Sequence, residues 1–182
     1  MRVVIVYESM FGCTRKIADA IAEGFGAGTD VRVLNVAEAD PEVIDDAALL
    51  VVGGPTQAWG MSWPSTRRGA PLHVRKPGSD LTLQPGADTG PGVREWLASV
   101  GQVHALAAAF DTRIKSSVLL TGRASRGISR QLTRHGLRVV AEPESFLVDK
   151  GSHLLPAQTD RARAWGARLA ATVERLRAAR AG

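Results

Sequence analysis

An open, doubly wound parallel α/β sheet is the fold this sequence predicts, and three observations carry that expectation. Two runs, "VVIVY" near the start and "ALLVVGG" near residue 50, are continuously apolar rather than alternating. That is the pattern of parallel strands buried on both faces. Segments with apolar residues at helical spacing separate such runs, the alternation that builds a parallel sheet with helices on both sides.

Taken in order, Arg2 to Tyr7 reads as the first strand. Ile17, Ala18, Ile21, Ala22 and Phe25 then mark a helix that Gly24, Gly26 and Gly28 bring to an end. "DVRVLNV" is a second strand, and "PEVIDDA" a short helical turn with Pro41 at its first position and Asp45 and Asp46 on its surface. "ALLVVGG" is the third strand. From Pro55 to Pro91 no period is sustained and prolines and glycines accumulate, so a long irregular loop is expected there. "GVREWLASVG" reads as a helix, "HALAAAFDT" as a fourth strand, and "GISRQLTRHG" as a helix closed by Gly136. "VVAEPESFLV" supplies a fifth strand interrupted by Pro143. Thr159 to Ala181 is a terminal helix with Ala164, Trp165, Leu169, Val173 and Leu176 on its apolar face. No repeat or linker divides residues 1–182, so one domain is expected.

The bulk composition narrows the classes. With 45% hydrophobic and 23% charged residues the chain is neither disordered nor membrane-spanning, since no apolar run approaches the roughly 20 residues of a span. The first strand begins too early for a signal-peptide layout. A single cysteine, Cys13, rules out an internal disulfide, which suits the cytoplasm. The net charge is +5, with Arg123, Arg126, Arg130 and Arg134 at helical spacing and Arg161, Arg163, Arg168, Arg175, Arg177 and Arg180 in the final segment. No basic–aromatic interleaving or nucleic-acid motif accompanies them, so a solvated face or an acidic protein partner is expected rather than nucleic acid.

In an open parallel sheet, ligands bind beyond the C-terminal ends of strands where the winding reverses. The relevant ends are "YESMFGCT" after the first strand and "GGPTQAWGMS" after the third. A strand-to-helix turn aims backbone N–H groups and a helix N-terminus at one point, an anion site. Ser9 and Thr14 offer hydroxyls, and Gly12 permits close approach; the alternative is that Ser9 or Thr14 merely caps the helix. The triphosphate loop is excluded by the missing Gly-Lys-Ser/Thr, and the dinucleotide loop by the missing glycine triplet. A Cys-x5-Arg phosphatase loop would need arginine where Asp19 stands. A phosphoacceptor receiver would need an aspartate where Gly53 and Gly54 stand.

"VYESMFGCTRKIADAI" resembles the FMN phosphate loop of the flavodoxin family. Tyr7, Ser9, Gly12, Thr14 and Ala18 occupy the matching positions, while Phe11 stands where a second hydroxyl is usual. The resemblance implies a flavodoxin-like five-stranded sheet in the order 2-1-3-4-5, with FMN at the switch between strands 1 and 3. It also implies FMN held by Ser9, Met10, Phe11, Gly12, Cys13 and Thr14. In "PTQAWG", the resemblance places Pro55, Thr56, Gln57, Ala58, Trp59 and Gly60 along the flavin. Trp59 would stack on the ring, Gly60 would use left-handed conformations to let its peptide turn on reduction, and Thr56 and Gln57 would donate to phosphate or ribityl hydroxyls. After the fourth strand, Asp111, Thr112 and Arg113 would supply backbone contacts to the pyrimidine edge. The outer flavin face, where the family often has a tyrosine, would be covered by Arg113, by the long loop, or by nothing.

Cys13 is weighed as a helix-terminal thiolate or a passive small residue, and the passive reading is preferred beside a phosphate. His73, His104, His135 and His153 have no metal-ligand spacing, so no metal is expected.

Three function classes stay open. The first is an FMN electron carrier exchanging electrons with a protein partner that has an acidic docking surface, at a less negative reduction potential than acidic relatives. The second is an NAD(P)H-dependent quinone reductase-type enzyme, with quinone and NAD(P)H as partners. The third is an interaction module that has lost FMN. Dimerisation over Trp63, Trp96 or the terminal helix also stays open.

Overall fold

The computed structural model describes residues 1–101, 103 and 105–181, so His104 lies outside the described residues. Its centre is a parallel sheet of β1 (Arg2–Tyr7), β2 (Asp30–Asn35), β3 (Leu49–Gln57) and β5 (Leu106–Ile114), flanked by β6 (Arg138–Val139) and β7 (Glu144–Val148). The order runs β2-β1-β3-β5, with β6 pairing the start of β5 and β7 its end. The fifth position is therefore filled by two short strands rather than one, and the break falls at the expected Pro143, whose missing N–H cannot join a ladder. A further strand, β4 (Gly60–Met61), folds back antiparallel on Thr56 and Gln57. Five expected strands become seven, in the expected spatial order.

Why the runs are continuous rather than alternating is visible in the packing. Val4, Val6, Leu50, Val52, Ala107 and Ala109 face α4 (Val93–Ser99) and α6 (Ala124–Arg134), meeting Trp96, Leu97, Ile128 and Leu132. Their alternates Val3, Ile5, Leu49, Val51, Ala108 and Phe110 face α1 (Cys13–Glu23) and α7 (Gln158–Ala181), meeting Ile17, Ile21, Trp165 and Leu169. Successive residues point to opposite faces, and both faces are core. On the second face Phe110, Phe146 and Trp165 pack edge to face with centroids 6.2–6.4 Å apart. A Cβ at Gly53 would lie 2.1 Å from the Phe110 ring, so the glycine in the middle of β3 makes room for that ring.

Several boundaries move from the sequence expectation, each for a tertiary reason. β3 continues through Pro55 to Gln57 because β5 supplies a partner as far as Thr112. "PEVIDDA" forms only a 3-10 turn over Pro41–Ile44. α6 begins at Ala124, where the buried Asp111 Oδ2 accepts the Ser125 N–H at 2.8 Å. The loop from 55 to 91 contains β4 and two short helices, α2 (Pro64–Arg68) and α3 (Ala70–Val74). α5 (Val118–Thr121) is a single turn after β5. In α7 it is Ala162, not Ala164, that is buried.

α1 and α7 cross at two glycines. A Cβ on Gly166 would sit 2.2 Å from the Ile21 carbonyl oxygen, and one on Gly24 would sit 2.1 Å from that of Arg163. Gly166→Ala gains about 1 kcal/mol of helix propensity but forces the helices apart, at about 1–3 kcal/mol for overpacking. The overlap is with backbone, so the second effect wins. Thermal denaturation should show a melting temperature lower by several degrees; an unchanged or higher value would mean the crossing is slack.

Candidate functional site

The winding reverses between β1 and β3, and their C-terminal ends lie side by side with that of β5. Tyr7 pairs with Gly53, Gly54 with Asp111, and Pro55 with Thr112. From this edge the chain leaves β1 through the turn 8–12. Gly12 takes a left-handed φ of 89°, and the first helical bond runs from the Lys16 N–H to the Gly12 carbonyl. The N–H groups of Cys13, Thr14 and Arg15 therefore have no acceptor within the helix. Neither hydroxyl caps it. Ser9 Oγ accepts the Gly12 N–H at 3.1 Å, and Thr14 Oγ1 is 2.8 Å from Thr112 Oγ1. The capping alternative fails, and the Thr14–Thr112 pair ties the turn to β5.

Beside the turn lies a cavity of about 380 Å³, within the range of small-molecule sites. Of the residues singled out in sequence, Ser9, Met10, Phe11, Cys13, Thr14, Pro55, Thr56, Gln57, Ala58, Thr112 and Arg113 line it. Gly12 is buried behind its wall, with the Gln84 carboxamide nitrogen 3.6 Å from the place a Cβ would take. Two polar atoms of the lining are buried without a partner: the acceptor Gln57 Oε1 and the donor Arg113 Nε. Orphaned groups of opposite kind suit a ligand that offers both hydrogen-bond donors and acceptors.

A second cavity of about 250 Å³ adjoins the first, sharing Thr56, Ala58, Arg113 and Ile114. Trp59 belongs to this one, opposite Leu120 and Thr121, and is 69% exposed. Its place is set by backbone. Ala58 and Trp59 hold φ of 43° and 66°, and Trp59 bridges to Gly122, where a side chain would collide with the Trp59 carbonyl. Ala58 and Trp59 hold the left-handed positions here, and Gly60 is extended in β4, paired with Gln57. The Asp111 side chain is fully buried and accepts the Ser125 N–H at the α6 N-terminus. The wall opposite Trp59 is aliphatic, from Ile114 and Leu120, and is held by Arg113, which donates to the carbonyls of Ile114 and Ser116.

Residues that the sequence pattern did not reveal come from the aperiodic insert and from β7. Thr66, Ala70 and His73 form one side of the larger cavity, and Val148 and Ser152 another. The insert is fastened over the turn. The Gln84 N–H donates to the Met10 carbonyl at 2.8 Å, Phe11 packs on His73 with centroids 6.3 Å apart, and His153 Nε2 lies 3.1 Å from both Asp80 oxygens. The Cys13 thiol donates to the Ser152 carbonyl at 2.9 Å, and burial pushes its pKa up. It is a passive wall residue rather than a helix-activated thiolate. Among the described residues no group of three or more His, Cys, Asp or Glu could hold a metal.

Behind the turn, Glu8 and Arg67 are 4% and 3% exposed. Glu8 Oε2 accepts the Val93 N–H at 2.9 Å; Arg67 reaches Ser62 Oγ at 3.1 Å and Glu95 at 3.0 Å. Arg94 adds bonds to the Met61 and Ser62 carbonyls and stacks 3.7 Å over Trp63. These buried charges hold the base of the insert against the end of β1.

The geometry defines a class: an open α/β protein with a turn of unpaired helix-N-terminal amides and an adjoining cavity of small-molecule size at the switch between strands. Comparison with known proteins agrees. Residues 5–66 match the sequence model of the family described as Flavodoxin. A flavodoxin of Aquifex aeolicus (strain VF5) is 38% identical over 68 residues, a match spanning 36% of this chain and 37% of that protein. A flavodoxin structure from the domain Archaea superposes with a TM-score of 0.66 at 19% identity, covering 96% of this chain and 99% of the other. Rubredoxin oxygen:oxidoreductase of Desulfovibrio gigas does so with a TM-score of 0.59 at 18% identity, over 95% of this chain and 36% of that one. The two structural likenesses carry the fold; the sequence matches carry the turn. Residues 5–66 are thus similar in sequence to the flavodoxin family, over about a third of the chain, and the fold is flavodoxin-like throughout.

Burial, more than any neighbouring charge, pushes the Glu8 carboxyl above its ordinary value of 4.5. A carboxyl held protonated more firmly when folded costs stability as pH rises, beginning near the ordinary value and continuing to the raised one. Glu8→Gln keeps an acceptor for Val93 and removes this loss. Urea denaturation across that window should show the native chain losing stability relative to the variant; parallel curves would mean Glu8 is fully compensated as an anion.

Proposed function

We propose that this protein holds FMN non-covalently at the β1/β3 switch and passes electrons to or from a protein partner. The observation that carries the reading is the turn 9–14, whose unpaired amides and two hydroxyls open beside a cavity with an orphaned donor and an orphaned acceptor. The residues fit the group. The turn receives the phosphate, with the Cys13, Thr14 and Arg15 amides in place of hydration. Gln57 Oε1 accepts from a ligand N–H or hydroxyl, and Arg113 Nε donates to a carbonyl. Trp59 and Leu120 flank a flat apolar ring and shed water from it, so the outer wall is aliphatic where relatives often use tyrosine. FMN supplies the redox chemistry when bound. The single free thiol suits a reducing compartment, and the cytoplasm is the proposed location.

A second reading rests on the exposure of Trp59 and Leu120, 69% and 70%. An open ring site admits a small quinone-class acceptor, reduced by hydride taken from NAD(P)H. Steady-state nicotinamide oxidation with a quinone separates this enzyme from a carrier, which turns over almost none unaided.

Removing a hydroxyl that meets a phosphate costs roughly 1.5–3 kcal/mol, tenfold or more in affinity. Ser9→Ala should therefore weaken FMN by at least about tenfold while leaving riboflavin, which lacks the phosphate, unchanged; equal losses for both would place Ser9 away from the phosphate. Trp59→Ala should weaken both flavins alike and raise the residual fluorescence of the bound ring, and an unaltered spectrum would remove the tryptophan from the ring site.

A further inference from the structure

Charge and apolar exposure are concentrated on one face beside the cofactor cavity. Residues 112–141 contain seven basic side chains and no acidic one, while the remaining 152 residues carry 16 basic and 18 acidic ones. The whole positive excess of the chain resides in this stretch. Its first part forms the aliphatic wall of the site, and every residue from Ile114 to Leu120 is exposed, with Leu119 at 90% and Leu120 at 70%. Leu120 lines the second cavity; Leu119 lines neither cavity and faces solvent. A one-turn segment presenting three consecutive apolar residues, Val118 to Leu120, is an exposed patch in need of cover.

Exposed cations flank it along the chain. α6 starts at the same edge, where the Ala124 N–H donates to Thr56 Oγ1 at 2.9 Å. Arg126 and Arg130 are exposed one turn apart on its surface, and Lys115 is exposed at the base of the wall. The terminal helix offers a contrast: its Arg161 and Arg163 are paired with Glu144, Glu23 and Asp160.

We propose that Val118–Leu120, with Lys115, Arg126 and Arg130 beside it, docks an acidic electron-transfer protein with an apolar centre to its contact surface. The inference rests on the redox reading for the partner's class, but the surface is argued from charge and exposure alone. A second copy of this chain would bring the same cations face to face. A nucleic acid would be gripped by the cations and find no use for an exposed leucine, whereas an apolar centre with a charged rim is the anatomy of a protein contact.

The probe is a fluorescently labelled acidic plant-type [2Fe–2S] ferredoxin, titrated with the full chain and followed by anisotropy, a readout that needs no flavin. Binding should weaken steeply as salt rises. Arg126→Glu with Arg130→Glu should weaken it at low salt by about tenfold or more, Lys115→Glu should act in the same direction, and Leu119→Ser should cost about fivefold at every salt concentration. These side chains are exposed, and far-UV circular dichroism checks that each variant is folded. No binding, or affinities indifferent to all the changes, overturns the surface. So does a short DNA duplex that binds more tightly than the ferredoxin and is insensitive to Leu119→Ser. The visible spectrum reports flavin separately: a colourless chain that still binds the ferredoxin defeats the redox reading and leaves the surface standing, and a yellow chain that does not bind defeats the surface alone.

Discussion

Everything at the ligand end depends on the in-register parallel pairing of β1, β3 and β5. Tyr7, Gly53 and Phe110 lie across three neighbouring strands, so the turn after β1 and the loops after β3 and β5 emerge together. That register is enforced by burial on both faces. A one-residue slip of β3 would exchange Leu49 and Val51 with Leu50 and Val52 and drive side chains into the Phe110 ring that Gly53 now admits. The site is therefore positioned by the core rather than by its own contacts, and the Thr14–Thr112 hydroxyl pair only refines it.

Above this rigid edge the walls are held by means that need no regular structure. Arg113 braces the 114–121 segment through carbonyls, Trp59 and Gly122 meet backbone to backbone, and the insert is tied down at Gln84, Asp80 and Arg67. A buried ionic group such as Arg67, paired with the half-buried Glu95, contributes little net stability, because desolvation offsets the attraction. Its effect is to specify one arrangement of a segment that has few apolar anchors of its own. Two groups of the cavity wall, Gln57 Oε1 and Arg113 Nε, are left buried without a partner.

Charge is distributed along the same lines. The arginines most conspicuous in the sequence, those of the terminal segment, are partly consumed by ion pairs that fasten α7 to α1 and β7. The unbalanced stretch from 112 to 141 is the one that borders the cavity.

The sequence by itself determined the open parallel α/β class and the strand-to-helix turn after β1, through unbroken apolar runs, helical spacing after Thr14, and hydroxyls and glycine at a strand end; the strand order and the larger part of the cavity lining came through the resemblance to the flavodoxin family. Only the tertiary structure decided that "VVAEPESFLV" splits into β6 and β7, that α6 starts at Ala124, and that the Asp111 side chain accepts an N–H at the start of that helix. It alone brought Thr66, Ala70, His73 and Ser152 to the cavity, because the insert has no period and is placed by contacts with residues far away in the chain. It likewise put left-handed residues at Ala58 and Trp59, ahead of an extended Gly60 that the pairing of β4 with β3 requires. Local propensity reads what a segment can be; which neighbour satisfies its backbone and covers its surface is settled by distant parts of the chain.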